Sequence, residues 1–136
     1  MKEQLKTIQI IHLVLTLGIT LAYFSLAKIT SIDELFILPE INNATIYIGI
    51  IPIVAYIFSN ILFKRLISKI DKKLKIETNL GAYQTASLIR WAILEGAAFF
   101  IIISKPDFIL FGAVLIIYLA LLRPTENGII NDLKNL

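Results

Sequence analysis

Two charged residues lie inside an otherwise apolar segment, residues 88–100, with the sequence LIRWAILEGAAFF. Arg90 and Glu95 are five positions apart, about 140° around a helix, so they do not share one face and cannot pair along it. Each costs about 2.5–3.5 kcal/mol at the centre of a bilayer. A charge kept at that cost marks an ion pathway, a contact between helices or a site for a polar ligand.

Glu95 is about ten residues from either end of its apolar segment, too deep for its short side chain to reach water. Burial favours the protonated carboxyl, which both donates and accepts a hydrogen bond. Tyr56, Thr16 and Thr20 lie at a compatible depth as partners. Three roles stay open: a hydrogen bond between helices or subunits, proton or ion handling, and contact with a cofactor or lipid headgroup.

Four further polar or aromatic residues lie near the cytoplasmic ends of the apolar segments. His12 and Arg90 are each about five residues inside those ends, roughly 7–8 Å deep, and Asn60 and Tyr118 lie at a similar level. Together they predict a polar layer in the inner leaflet. Arg90 can also extend to the membrane surface beside Trp91, so interface anchoring is the alternative to a functional role.

Small residues accompany these polar groups. Ala92 and Gly96 flank Glu95 with a spacing of four, and Ala55 and Ser59 repeat that spacing on another segment. Small residues at this spacing let two helix backbones approach closely, which is common where membrane helices pack. We therefore expect a helix close to Glu95, which favours packing over an open pore.

The elements that carry these residues are long apolar runs. Of the 136 residues, 57% are hydrophobic and 17% are charged, a composition typical of integral membrane proteins. Four spans are predicted, at 7–27, 44–63, 85–104 and 108–122, the last extended outward through Asp107 because a span needs about 20 residues. We expect an all-α polytopic protein, 1–136, whose single domain is an antiparallel bundle of four transmembrane helices.

The orientation follows from the basic residues. Ten of the thirteen Lys and Arg residues lie in the N-terminal tail, the second connection and the C-terminal tail. Positive residues remain in the cytoplasm, so both termini are predicted there, in a multi-pass protein of the bacterial inner membrane.

Five basic residues follow the second span on a predicted cytoplasmic helical extension, 64–76. They are expected to lie near anionic lipid headgroups, the alternative being ordinary positive-inside topology: Lys64, Arg65, Lys69, Lys72 and Lys73. The tail, 124–136, is predicted to hold a short helix on the membrane surface.

Several functions are disfavoured by composition. The chain has no cysteine and one histidine, which excludes disulfides, thiolate metal sites and a histidine cluster for zinc. It lacks a glycine-rich phosphate loop and a nucleophile elbow, and its basic run has no interleaved aromatic residues. We expect no enzyme activity, catalytic residue, metal, cofactor or nucleic-acid partner.

Residues 89–99, IRWAILEGAAF, resemble the carboxylate-bearing helix of rotary ATPase c-subunits. That resemblance, which covers about one helix in four, implies that Glu95 carries protons or ions. The whole chain is similar to small uncharacterised four-helix integral membrane proteins of bacteria.

Two functions remain as hypotheses. The first is an accessory or scaffold subunit that packs through its small-residue faces and Glu95 into a homo-oligomer or larger membrane complex. The second is a proton or cation pathway through Glu95, with His12 and Arg90 lining its cytoplasmic entrance. Glu95 bonded between helices would favour the first, and Glu95 facing lipid or a water-filled cavity would favour the second.

Overall fold

A computed structural model describes residues 2–27, 33 and 38–134 of the chain, and the described part contains helices and no strand. The five helices are α1 (Lys2–Ala27), α2 (Ile46–Ser68), α3 (Ile76–Ser104), α4 (Ile109–Leu121) and α5 (Glu126–Lys134). The expectation of an all-helical protein is confirmed.

Three helices, α1, α2 and α3, are each long and apolar enough to cross a membrane. The fourth, α4, has 13 residues and so measures about 20 Å, less than the roughly 30 Å of a hydrocarbon core. The 3₁₀ turn Pro106–Phe108 lengthens it, and the chain then bends by 89° into α5. The described chain therefore has three helices of spanning length, or four if this bent pair forms one span.

The packing is centred on α3 and α4. Helix α3 packs against α1, α2 and α4, and α4 also packs against α1 and α2, whereas α1 and α2 make no comparable contact over the described residues. The buried core runs along this pair and includes Trp91, Leu94, Ile101, Leu115 and Leu119. Large apolar side chains are also exposed along α1 and α2, as expected where lipid replaces water around a bundle.

Local chemistry explains two of the connections between helices, the one from α3 to α4 and the one from α2 to α3. Helix α3 ends at Ser104, and Pro106 begins the 3₁₀ turn, so α3 and α4 form a close hairpin. Between α2 and α3, the Asp71 carboxylate accepts from the Lys73 amide at 2.9 Å, and the Asp71 carbonyl accepts from Asn79 Nδ2 at 3.0 Å.

The predicted helical extension to residue 76 is too long, because α2 ends at Ser68 and residues 69–75 form the turn around Asp71. When an aspartate side chain accepts a hydrogen bond from the amide two residues later, it favours a turn over a helix. Here the turn forms and α2 ends before it. The five basic residues predicted at this surface are all exposed: Lys64, Arg65, Lys69, Lys72 and Lys73. The spacing of apolar residues alone did not reveal the turn.

Candidate functional site

One end of the bundle contains a layer of polar side chains contributed by α1, α2, α3 and α4. The layer has two halves on opposite sides of the α3–α4 pair. It includes His12, Asn60, Tyr118 and Arg90, which the sequence placed at similar depth, and also Tyr56, which the sequence placed deeper, near Glu95.

His12 forms the first half of the layer, where α1 meets the end of α4. Its side chain is 4% exposed, and Nε2 lies 2.7 Å from the carbonyl oxygen of Leu119, so this nitrogen donates. The imidazole also meets Trp91 edge-on, with ring centroids 4.8 Å apart. One turn earlier, Gln9 Nε2 donates to the carbonyl of Pro124 at 2.8 Å.

These two bonds tie α1 to the end of α4. The Leu122 amide already donates to the carbonyls of Tyr118 and Leu119. His12 therefore adds a second bond to the Leu119 carbonyl, while Gln9 bonds the chain just beyond the helix. The single histidine therefore has a structural partner, which its sequence position alone did not disclose.

Asn60 forms the second half, where α2 meets α4. Its Nδ2 donates to the Tyr118 hydroxyl at 2.8 Å and to the Tyr56 carbonyl, also at 2.8 Å. The rings of Tyr56 and Tyr118 meet edge-on at 4.9 Å. Tyr56 is thus engaged with α4, not with Glu95 as its depth suggested.

Arg90 lies between the two halves on α3. Its guanidinium carbon is 3.7 Å from the centre of the Phe63 ring, a cation–π contact. The Nε atom is buried and bonded to nothing, and Arg90 forms no hydrogen bond or ion pair with any described residue. The predicted extension of this side chain to the surface is therefore only partial.

Glu95 lies apart from this layer, farther along α3. It is half-buried and makes neither a hydrogen bond nor an ion pair with the described residues. The two threonines considered as its partners bond their own helix instead, Thr16 to the carbonyl of His12 and Thr20 to that of Thr16. No hydrogen bond joins Glu95 to another helix over the described residues.

The two small-residue pairs point in different directions. Ala55 and Ser59 are buried where α2 packs in the bundle, with exposures of 6% and 0%. Ala92 and Gly96 are exposed beside Glu95, and nothing lies within 4 Å of the position that a Cβ on Gly96 would take. The first pair is a packing face within the chain, and the second is open on the surface of α3.

Sequence reasoning missed two contacts that join the helices. The Tyr23 hydroxyl donates to the Ala98 carbonyl at 2.5 Å, and the Tyr23 ring lies across Gly112 of α4. The Tyr83 hydroxyl donates to Asp132 of α5 at 2.7 Å. A lone glycine in an apolar helix was the only signal for the first contact, and the second had none.

No group of three or more metal-binding side chains occurs in the described part of the chain. In comparisons with known proteins, no family model, no curated protein and no solved structure matches this chain.

Proposed function

We propose that this protein is a non-catalytic scaffold of the bacterial cytoplasmic membrane that self-associates through the outer face of α3. In this proposal the α4–α5 pair completes a fourth span, and both termini lie in the cytoplasm, as the positive-inside rule predicts. The surface that would associate, here called the α3 seam, consists of Ala92, Glu95, Gly96 and Phe100.

Glu95 lies on an open face with no hydrogen-bond partner among the described residues, a position that in a single chain would favour ion carriage. The observation that carries the proposal of self-association is the small-residue pair on that same open face, which leaves room for a second helix. A carboxyl group in hydrocarbon requires a hydrogen-bond partner. A second copy of the same seam supplies one, since two protonated carboxyls are complementary as donor and acceptor. In a two-fold dimer the same patch faces itself, which places each Glu95 near its counterpart.

The small residues beside Glu95 also favour a second copy of this chain as the partner. Ala92 and Gly96 let a second helix approach closely, and no neighbouring atom of the described residues lies within 4 Å of a Cβ built on Gly96. Ala55 and Ser59, the other pair, are already buried in the bundle and are not available.

Cysteine crosslinking in native membranes tests this proposal, because the chain has no cysteine of its own. Ala92→Cys is expected to form disulfide-linked dimers on oxidation. The matched control is Ile53→Cys, which is 59% exposed on α2 at similar depth, and should not crosslink. Equal crosslinking at both positions, or none at either, would refute a dimer through the α3 seam.

A second function, ion carriage by Glu95, is favoured by the same half-exposed position, which resembles that of a lipid-facing carboxyl. Glu95→Gln separates the two functions. The amide keeps donor and acceptor groups, so dimerisation is expected to persist, whereas proton or cation flux in proteoliposomes would be lost. Equal flux from wild type and variant excludes ion carriage. Glu95→Leu should weaken dimerisation by about five- to thirtyfold, and an unaffected dimer would contradict the role of the carboxyl in association.

A further inference from the structure

A second polar site lies at the end of the bundle where α4 stops and the chain turns into α5. A cavity of about 220 Å³ opens there, lined by side chains of α3, α5 and the connection between α4 and α5. The polar side chains that line it are Tyr83, Arg90, Arg123, Thr125 and Asp132.

Arg90 is the strongest indication that this cavity binds a ligand. A guanidinium group carries five N–H donors and is always charged. That of Arg90 is half-buried, lies 3.7 Å from the centre of the Phe63 ring and bonds no acceptor among the described residues. Its Nε is enclosed by the protein, so the terminal N–H groups are the ones available to a ligand in the cavity. Buried donors are normally paired, and a charged donor especially so, which indicates an acceptor that comes from outside the chain.

The remaining charges make the cavity positive. Arg123 lies on its rim and is exposed, so its guanidinium is free to turn inward. Asp132 is the one acidic side chain of the lining, and its carboxylate already accepts the Tyr83 hydroxyl proton at 2.7 Å. Two arginines against one carboxylate leave a net charge of +1, which favours an anion.

The donors favour an anion with two oxygens side by side, a carboxylate or a phosphate, and the depth of the cavity favours phosphate. Planar guanidinium forks match the oxygens of phosphate groups, and two arginines around one cavity can bind two edges of the same group. Under the membrane placement proposed above, Arg90 lies roughly 7–8 Å inside the cytoplasmic end of its span, at the border of the headgroup region.

From these observations we infer that the Arg90–Arg123 cavity binds a phosphate group, supplied by the headgroup of an anionic phospholipid of the inner leaflet. This inference rests on the proposed membrane placement and is independent of self-association. It differs from the cytoplasmic lysine surface, because one cavity takes one headgroup instead of a diffuse layer of lipid.

Native mass spectrometry of the full chain in detergent tests the inference. The protein is mixed with equal amounts of phosphatidylglycerol and phosphatidylcholine, and the retained lipid is counted. We expect wild type to retain one phosphatidylglycerol in preference. Arg90→Gln and Arg123→Gln should each lower that retention about ten- to a hundredfold, the effect of losing a hydrogen bond to a charged group, which exceeds the loss of one surface charge.

The matched control is Arg65→Gln, which removes an equal charge from the exposed surface of α2. An equal loss for Arg65→Gln would mean diffuse attraction and would overturn the site. Arg123 is exposed, so its variant tests the cavity even if Arg90→Gln fails to fold.

A second arm adds inorganic phosphate instead of lipid. Binding of phosphate that depends on Arg90 and Arg123, without preference for phosphatidylglycerol, would keep the phosphate chemistry and refute the lipid source. If wild type binds phosphatidylglycerol and inorganic phosphate no more strongly than the arginine variants do, the inference is overturned entirely. Because lipid is counted on each oligomeric state separately, a protein that stays monomeric refutes self-association without affecting this result.

Discussion

Gly112→Ala tests whether close contact between α1 and α4 holds this bundle together. A Cβ added at Gly112 would lie 1.6 Å from the Tyr23 hydroxyl oxygen and 2.4 Å from the ring carbon that bears it. Tyr23 is 3% exposed and bonds the Ala98 carbonyl, so the ring can move only by breaking that bond and displacing neighbours.

The expected cost follows from these two losses. Inserting a methyl group into a packed core costs about 1–3 kcal/mol. A hydrogen bond between membrane helices contributes about 0.6 kcal/mol on average. Alanine is better than glycine within a helix by about 1 kcal/mol, which offsets part of the loss. We expect the free energy of unfolding to fall by about 0.6–2.6 kcal/mol.

The assay is unfolding in mixed micelles by titration with SDS, followed by the fluorescence of Trp91, the single tryptophan. Gly18→Ala is the matched control, because no atom lies within 4 Å of a Cβ at that position of α1. It should be neutral or slightly stabilising. Tyr23→Phe reports the hydrogen bond alone, with an expected loss of about 0.6 kcal/mol.

A double-mutant cycle gives the sharpest test. In a Tyr23→Leu background, Gly112→Ala should lose most of its effect, since the ring it would strike is gone. If Gly112→Ala is instead as stable as Gly18→Ala, the close approach of Tyr23 to α4 is wrong, and the order of helices around α3 would need to be redrawn.

Three further predictions concern the bonds between helices. His12→Leu removes the donor to the Leu119 carbonyl, and the free energy of unfolding should fall by about 1 kcal/mol in the same SDS titration. An unchanged free energy of unfolding would contradict a stabilising role for this bond. Asn60→Leu and Tyr118→Phe should couple by about 0.6–1.7 kcal/mol in a double-mutant cycle, whereas strictly additive losses would mean that their bond contributes nothing. Tyr83→Phe removes the bond to Asp132, so α5 amides should exchange with deuterium about two- to tenfold faster, and unchanged exchange would assign the docking of α5 to apolar burial alone.

The helical nature of the chain and most helix positions were readable from the order of residues. Apolar runs of about 20 residues form helices in any membrane, because each backbone group must be paired within the segment. The stop at Ser104 before Pro106 was readable for a local reason too, since proline lacks the amide that would continue α3. The early end of α2 was missed, because the turn at Asp71 depends on Asn79, eight residues farther along.

The candidate site divides in the same way. Depth along each span placed His12, Asn60 and Arg90 at one level, since depth depends only on position in the chain. Depth did not give partners, because partners depend on how each helix is rotated about its axis and on which helices are adjacent. Tyr56 was therefore assigned to Glu95, whereas it faces Tyr118.

The small-residue pairs show why the partners of each helix face could not be predicted from the sequence. Ala55 with Ser59 and Ala92 with Gly96 have the same spacing, and nothing local distinguishes a seam within the chain from one that is open. Long-range packing made the distinction: α2 turns its pair into the bundle, and α3 turns its pair outward with Glu95. Local composition was enough to predict the helices and their depth. The rotation of α3 is set by contacts with three other helices at once, and it left the Glu95 carboxyl without a partner among the described residues.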